Sequence, residues 1–147
     1  MTIKKNLPDH FREIQVRFSR FYASVLNKAD ISISQYALLN QLVTSGLIPM
    51  SEVGEKLRIT KPAVTHLVDR LEQRHFLKRI PHSTDRRITL LKILPKGERI
   101  VEKIQENVFQ VVSEALRFFD AGEQKIIVRY QKLISEIIEN ILNRTED

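Results

Sequence analysis

The residues best suited to chemistry lie between Thr60 and Leu71, and their chemistry is hydrogen bonding and charge pairing. Four polar or cationic side chains recur there at helical spacing: Lys61, Thr65, His66 and Arg70. Ammonium, guanidinium, hydroxyl and imidazole groups are the donors that proteins use on phosphate oxygens and on the edges of bases. The segment therefore has the side chains needed to bind a nucleic acid.

The chain lacks the residue combinations of common catalytic and metal sites. It has no cysteine, which excludes disulfides, thiolate metal ligands and a thiol redox switch. It has no glycine-rich phosphate loop, and no Ser/His/Asp set can be assembled. The histidines include no pair at i and i+4, which leaves one alternative, a metal site of His10 with acidic residues of other helices in a dimer. We predict a protein that is not an enzyme and holds no cofactor.

Residues 60–71 are predicted to form a helix with one buried face. Its apolar residues fall at i, i+3, i+4 and i+7 and so share one stripe: Val64, Leu67, Val68 and Leu71. Thr60 suits the N-cap, and Pro62 suits the first helical turn, where a backbone N–H has no helical partner. The helix is expected to run to about Arg74, with His75 in a left-handed conformation just beyond it.

A second short helix is predicted before it, from Ser51 as N-cap to Leu57, with Arg58-Ile59 as the connecting turn. Two short helices joined by a tight turn form a helix-turn-helix, whose second helix lies in the DNA major groove. An ordinary helical hairpin is the alternative. We predict DNA contacts from these residues of the motif: Ser51, Thr60, Lys61, Pro62, Ala63, Thr65, His66 and Arg70.

Two β-like runs follow, Phe76–Ile80 and Ile88–Ile93, separated by a turn-forming segment. A hairpin placed directly after such a helix is a wing, and Arg86 and Arg87 at its tip could reach phosphates or the minor groove. A basic loop exposed to solvent is the alternative.

The positive charge of the chain is concentrated around this motif. The net charge is +6 overall, whereas residues 56–96 alone carry 11 Lys/Arg against 3 Asp/Glu. Cations gathered on one segment indicate a polyanionic partner, here double-stranded DNA, although a solvated basic face is the alternative.

Long helices are predicted on both sides of the motif. The first runs from Pro8 to about Ala29 with an aromatic stripe that is usually core, and the second is capped by Ser34 and ends at Ser45-Gly46. Another opens at Pro95 and reaches about Phe119, which makes it about 35 Å long. Asp120 and Glu123 can cap the last helix.

The last helix is apolar over more than half its circumference, more than a compact winged helix can cover. We infer a homodimer, with a self-sufficient monomeric bundle as the alternative. The predicted interface residues are Phe11, Ile14, Ile126, Tyr130, Ile134, Ile137, Ile138 and Ile141.

Nothing in the sequence indicates export or a membrane span. The first eight residues lack the apolar core of a secretion signal, and the uncharged stretch Ile31–Ser51 is interrupted by polar residues, glycine and proline. We expect a cytoplasmic protein.

Together these elements resemble the MarR family of bacterial transcriptional regulators. The resemblance rests on residues 34–39, on residues 64–74 and on Asp85-Arg86-Arg87. It implies a homodimer with two winged helices on successive major grooves and Arg87 in the minor groove, oriented by Asp85. It also implies repression that is relieved by an oxidant or by a small, often aromatic and anionic, ligand. Without cysteine, a ligand is the expected signal.

This sequence departs from the family pattern at three positions. Gly54 replaces a usual alanine, His75 a usual glycine, and Leu94 a frequent threonine before the long helix. None of these changes is expected to prevent DNA binding.

We therefore predict a mostly α fold with a small β-hairpin wing, as a single domain over residues 1–147. The winged helix-turn-helix occupies residues 30–94, flanked by dimerisation helices at 7–29 and 95–144. Phe18, Tyr22 and Tyr36 are candidates to line an effector pocket, or else belong to the core. The alternative function is a protein interaction module that does not read DNA sequence.

Overall fold

The computed structural model describes residues 3–144, and this part of the chain forms six helices and three short strands. The elements in chain order are α1 Ile3–Lys28, α2 Ile33–Ser45, β1 Ile48–Pro49, α3 Met50–Leu57, α4 Lys61–Gln73, β2 Leu77–Pro81, β3 Thr89–Ile93, α5 Pro95–Leu116 and α6 Ala121–Arg144. The predicted mostly α fold with a small wing is confirmed. The described chain divides into two compact units between Asn107 and Val108.

Helix α1 begins before Pro8, so the predicted start was wrong. Pro8 lies in the second turn of α1, where a proline removes one intrahelical hydrogen bond. The aromatic stripe belongs only partly to the core: Val25 is buried, but Phe11 and Ile14, two of the predicted interface residues, are each 60% exposed. Only the C-terminal half of α1 packs on the core of this chain.

Helix α2 is capped by Ser32 and not by Ser34 as predicted. Ser32 Oγ accepts from the backbone N–H of Gln35 at 3.2 Å, and Gln35 Oε1 accepts from the backbone N–H of Ser32 at 2.9 Å. Such a box needs Gln or Glu three residues after the cap, which Ser32 has and Ser34 lacks. The helix ends at Gly46, whose φ of +77° is open to glycine, as predicted.

Helix α3 begins at Met50, and its N-cap residue is Pro49, so the predicted cap Ser51 was wrong. The reason lies in a strand that was not predicted. Ile48 pairs with Leu91 and Pro49 with Leu90, which keeps the backbone extended up to the start of the helix. The sheet is therefore three-stranded and antiparallel, in the order β1-β3-β2.

Helix α4 confirms the predicted pattern. Thr60 Oγ1 accepts from the backbone N–H of Ala63 at 3.4 Å, and His75 adopts the left-handed conformation with φ 57°. The four stripe residues all lie in the core: Val64, Leu67, Val68 and Leu71. These side chains pack in one cluster with residues of α2, the sheet and the start of α5.

Helix α5 ends at Leu116, before the predicted limit at Phe119. Helix α6 is capped as predicted: Asp120 Oδ1 accepts from the N–H of Glu123 at 2.9 Å, and Glu123 Oε2 accepts from the N–H of Asp120 at 2.9 Å. No residue of α6 is buried within the described chain. None of the described helices is long and apolar enough to cross a membrane.

The start of α5 packs tightly against the residue that opens the wing after α4. Leu94 donates its backbone N–H to the carbonyl oxygen of Phe76 at 2.9 Å. A Cβ on Gly97 would lie 2.2 Å from that oxygen and 2.9 Å from Cγ1 of Ile93. Gly97 thus allows a close approach between α5 and the base of the wing.

Replacing Gly97 with alanine should destabilise the protein by about 2 kcal/mol or more. Alanine favours a helix by about 1 kcal/mol, but the clash with a backbone oxygen cannot be relieved by rotating a side chain. Urea unfolding measures the change, and Lys103→Ala in the same helix is the control. A Gly97→Ala protein more stable than the original would contradict the close packing.

Candidate nucleic-acid interface

The predicted contact residues of α4 lie on its exposed side, opposite the buried stripe. Exposed residues of this face are Lys61, Pro62, Ala63, Thr65, His66 and Arg70. Thr60, at the cap, and Ser51, on α3, are exposed as well. The rotation of α4 therefore presents its hydrogen-bonding groups outward.

Two clefts on this surface bring the predicted residues together. The first, of about 300 Å³, is lined by Ser51, Lys61 and Thr65, with Gly54 at the side. The second, of about 470 Å³, lies between the start of α2 and α4 and is lined by Ser32, Ser34, Gln35, Ile59, Ala63, His66, Leu67 and Arg70. The structure thus places α3 residues beside the first turn of α4, the arrangement expected of a helix-turn-helix.

The tip of the wing is organised by a three-point contact between Asp85 and Arg87. Asp85 Oδ1 accepts from the backbone N–H of Arg87 at 3.0 Å and from its Nε at 3.1 Å, while Oδ2 accepts from Nη2 at 3.0 Å. The Arg87 side chain is 90% exposed and that of Asp85 is 34% exposed. The carboxylate thus fixes the direction of a guanidinium that extends into solvent. Arg86 is exposed beside it.

His82 shapes the same loop, a role that the sequence did not reveal. Its Nδ1 accepts from the backbone N–H of Thr84 at 3.3 Å and of Asp85 at 3.4 Å. A hydrogen bond of 3.0 Å between the N–H of Ile88 and the carbonyl of Asp85 closes the turn. The position of His82, two and three residues before these backbone N–H groups, could have indicated this role from the sequence, because a ring nitrogen can accept hydrogen bonds from them.

Arg79 on β2 binds both carboxylates of α4, an interaction that sequence analysis missed. Its Nη2 lies 2.6 Å from Asp69 Oδ1, its Nη1 contacts Glu72 Oε2, and its backbone N–H donates to Glu72 Oε1 at 2.9 Å. Asp69 thus turns toward the wing. Burial lowers the pKa of Arg79, but the bonds to Asp69 and Glu72 outweigh this and raise it.

The C-terminal end of α4 is held by a second cationic cluster around Phe76. The Arg74 guanidinium donates to the carbonyl of Asp30 and lies 3.4 Å from its carboxylate. Lys96 Nζ donates to the carbonyl of Arg74 at 3.0 Å, and both cations lie over the Phe76 ring, at 4.7 and 5.1 Å from its centroid. This cluster links the α1–α2 turn, α4 and α5.

The candidate pocket residues form a row of aromatic rings. The rings of Phe18 and Tyr22 are 6.5 Å apart, and those of Tyr22 and Tyr36 are 5.7 Å apart and nearly perpendicular. Burial, followed by a hydrogen bond with Tyr36, raises the pKa of Tyr22. Tyr22 and Tyr36 pack against the core, whereas Phe18 is exposed, so an effector pocket here stays a prediction.

Among the described residues, no group of three or more His, Asp or Glu side chains could hold a metal ion.

The Asp85–Arg87 contact gives a prediction about titration. Hydrogen bonds first from the Arg87 side chain and then from its backbone lower the pKa of Asp85. The contact should be intact above the ordinary pKa of aspartate and should break as pH falls through the lowered value. A carboxyl-carbon NMR titration should therefore give Asp85 a midpoint below that of ordinary aspartate. Arg87→Ala should raise this midpoint, and Arg86→Ala is the matched control; equal midpoints in all three proteins would refute the contact.

Known proteins resemble this chain in sequence and in structure. The MarR family model matches residues 31–89. The HTH-type transcriptional regulator MhqR of Bacillus subtilis (strain 168) is 31% identical over 123 residues, which cover 79% of this chain and 85% of that protein. The structure of a MarR family protein from Bacillus stearothermophilus is 25% identical, with a TM-score of 0.77 over 94% of this chain and 99% of the other. The S. aureus MepR–DNA complex, 19% identical, shares the fold with a TM-score of 0.69 over 86% of this chain and 96% of the other. The chain belongs to the MarR family of transcriptional regulators.

Proposed function

We propose that this protein is a homodimeric repressor that binds a pseudopalindromic DNA operator and releases it when a small ligand binds. The observation that carries the proposal is the division of α4 into two faces. Its apolar stripe is buried, and its opposite face presents Lys61, Thr65, His66 and Arg70. The complex of MepR with DNA supports the proposal because that protein shares this fold.

In the proposed complex the first two turns of α4 lie in the major groove. Residues near the N-terminus of a recognition helix contact base edges, which assigns that role to Lys61, Thr65 and His66. Arg70, further along the helix, contacts the phosphate backbone. Hydroxyl and imidazole groups accept several base partners, so these residues do not specify an operator sequence.

The wing supplies the second contact, with Arg87 in the minor groove and Arg86 beside the phosphates. Arginine favours narrow minor grooves because their potential is strongly negative. Asp85 holds the exposed Arg87 side chain at two points and its backbone N–H at a third, which limits the rotamer freedom that binding would otherwise remove.

A second copy of the chain would cover apolar surface that a single chain leaves exposed. Five of the predicted interface residues of α6 are between 51% and 69% exposed: Ile126, Tyr130, Ile137, Ile138 and Ile141. Ile134 is half-buried, and on α1 Phe11 and Ile14 are exposed too. Exposed apolar area of this extent marks an interaction surface. A two-fold dimer would place its half-sites about one helical turn, ~34 Å, apart.

The proposed ligand is small and aromatic or anionic, and Phe18, Tyr22 and Tyr36 are the residues proposed to meet it. Their ring contacts support an aromatic ligand, since a planar ring could join the row. A dimer seated across an operator would repress by excluding polymerase from the same DNA.

The alternative function, a protein interaction module, fits the surface less well. A protein-docking face would present an apolar patch, whereas α4 and the wing present Lys61, Arg70, Arg86 and Arg87. Retention of a random duplex at low salt, abolished at high salt, favours the DNA-binding function, and no retention at either favours the module.

Arg87→Ala should weaken binding to duplex DNA about tenfold or more at low salt. Because the proposed dimer loses two cations, one from each wing, the plot of log K against log salt should also become shallower by about two units. Fluorescence anisotropy over a salt series measures both quantities. Lys103→Ala removes a positive charge from α5, outside the proposed surface, and serves as the control. Equal affinities for the two variants would refute the wing contact.

Ile138→Glu should convert the protein to monomers, because a carboxylate would enter the proposed apolar interface. Sedimentation velocity measures the mass, and anisotropy should show DNA affinity about a hundredfold lower, because the two half-sites are no longer linked. Gln131→Glu adds the same group to a polar position of α6 and should leave the dimer intact. A dimeric Ile138→Glu protein would place the interface elsewhere.

A further inference from the structure

Recognition helix α4 carries two carboxylates, Asp69 and Glu72, on an element proposed to lie among DNA phosphates. The two residues are one turn apart, so both carboxylates leave the helix on the same side. Their side chains are 45% and 37% exposed, so neither is removed from solvent by burial. Left alone, each would repel phosphate across the interface.

Arg79 meets both carboxylates from the neighbouring strand. Its Nη2 lies 2.6 Å from Asp69, and its Nη1 and backbone N–H both bind Glu72. The Arg79 side chain is only 27% exposed, less than either partner. It is therefore poorly placed to contact DNA itself, and its charge is directed at the two acids.

We propose that Arg79 is an electrostatic shield, which offsets one of the two negative charges of Asp69 and Glu72 so that the helix can approach the phosphates. The inference rests on the proposed DNA-binding function and adds to it a residue that sets affinity without touching DNA. Arg79 is a positioning residue in the sense that it acts on DNA only through Asp69 and Glu72. The proposal also explains how a helix with two acidic residues can bind a polyanion.

A purely structural role of Arg79 would give the opposite change in DNA binding when the acids are removed. If Arg79 served only to fasten β2 to α4, then removing either side of the contact would loosen the wing and weaken DNA binding. If it is a shield, removing the acids removes the need for it. Asp69→Asn combined with Glu72→Gln separates the two roles, because the amides keep the shape of the side chains but carry no charge.

The experiment compares three proteins with the original by fluorescence anisotropy on a labelled duplex of random sequence. Arg79→Met should bind about tenfold more weakly at low salt, because two unscreened carboxylates then face the phosphates. Asp69→Asn/Glu72→Gln should bind more tightly than the original. The triple variant should bind at least as well as the original, so neutralising the acids rescues the loss of Arg79.

Two controls make the result specific. Glu98→Gln/Glu102→Gln changes the net charge equally on α5, outside the proposed DNA-binding surface, and its affinity should rise less than that of Asp69→Asn/Glu72→Gln. All differences should shrink as salt is added, because screening weakens a charge effect and leaves a displaced wing displaced. Thermal melts followed by circular dichroism establish that each variant is folded. If Arg79→Met does not fold, the double amide variant alone still distinguishes the shield from the structural role.

Weaker or unchanged binding by the double amide variant, or a weakening in Arg79→Met that persists at high salt, would overturn the shield. In those cases the original protein still binds DNA and the proposed function stands. Failure of the original protein to bind the duplex even in dilute buffer would overturn both.

Discussion

The burial of one stripe of α4 determines the rest of the DNA-binding surface. Val64, Leu67, Val68 and Leu71 are each at most 9% exposed, and burying such side chains contributes about 1.5–3 kcal/mol apiece. The Thr60 cap contributes about 1 kcal/mol. The cap therefore decides where the helix begins, while the core decides which way it faces. Because the stripe cannot turn outward without losing several kcal/mol, the polar side of α4 is held toward solvent.

The basic segment separates into two groups of cations with different partners. Arg74, Arg79 and Lys96 are engaged within the chain: they bind carboxylates or backbone carbonyls around α4. Exposed ion pairs contribute little to stability individually, but here they join elements that are distant in the sequence, from the α1–α2 turn to the start of α5. Lys61, Arg70 and Arg86 are exposed to solvent. The cations of residues 56–96 thus include some that bind groups within the chain and some that form an exposed positive surface. A count of charges alone cannot distinguish the two.

Features that depend on local sequence could be predicted. The Thr60 cap, the left-handed His75 and the Asp120/Glu123 box each depend on a few neighbouring residues, and all three were confirmed. Strand β1 was missed because two residues carry no alternation, and its pairing partner lies some forty positions later. The Arg79 contacts were missed because they depend on how β2 packs beside α4, although the paired residues are only 7 and 10 positions apart. The N-cap of α2 is Ser32 and not Ser34 because Ser32 pairs with Gln35, a pair that the prediction overlooked.

The two compact units differ in how far they can stabilise themselves. The first has a core built from α2, α4, the sheet and the start of α5, whereas α6 in the second has no buried residue. Most helical stability in proteins comes from packing an apolar face, and isoleucine, which is frequent in α6, is a poorer helix former than alanine or leucine. We therefore expect the helical state of α6 to depend in part on burial in the proposed dimer. On the proposed function this couples the folding of α6 to the second copy, while the face of α4 depends only on its own core.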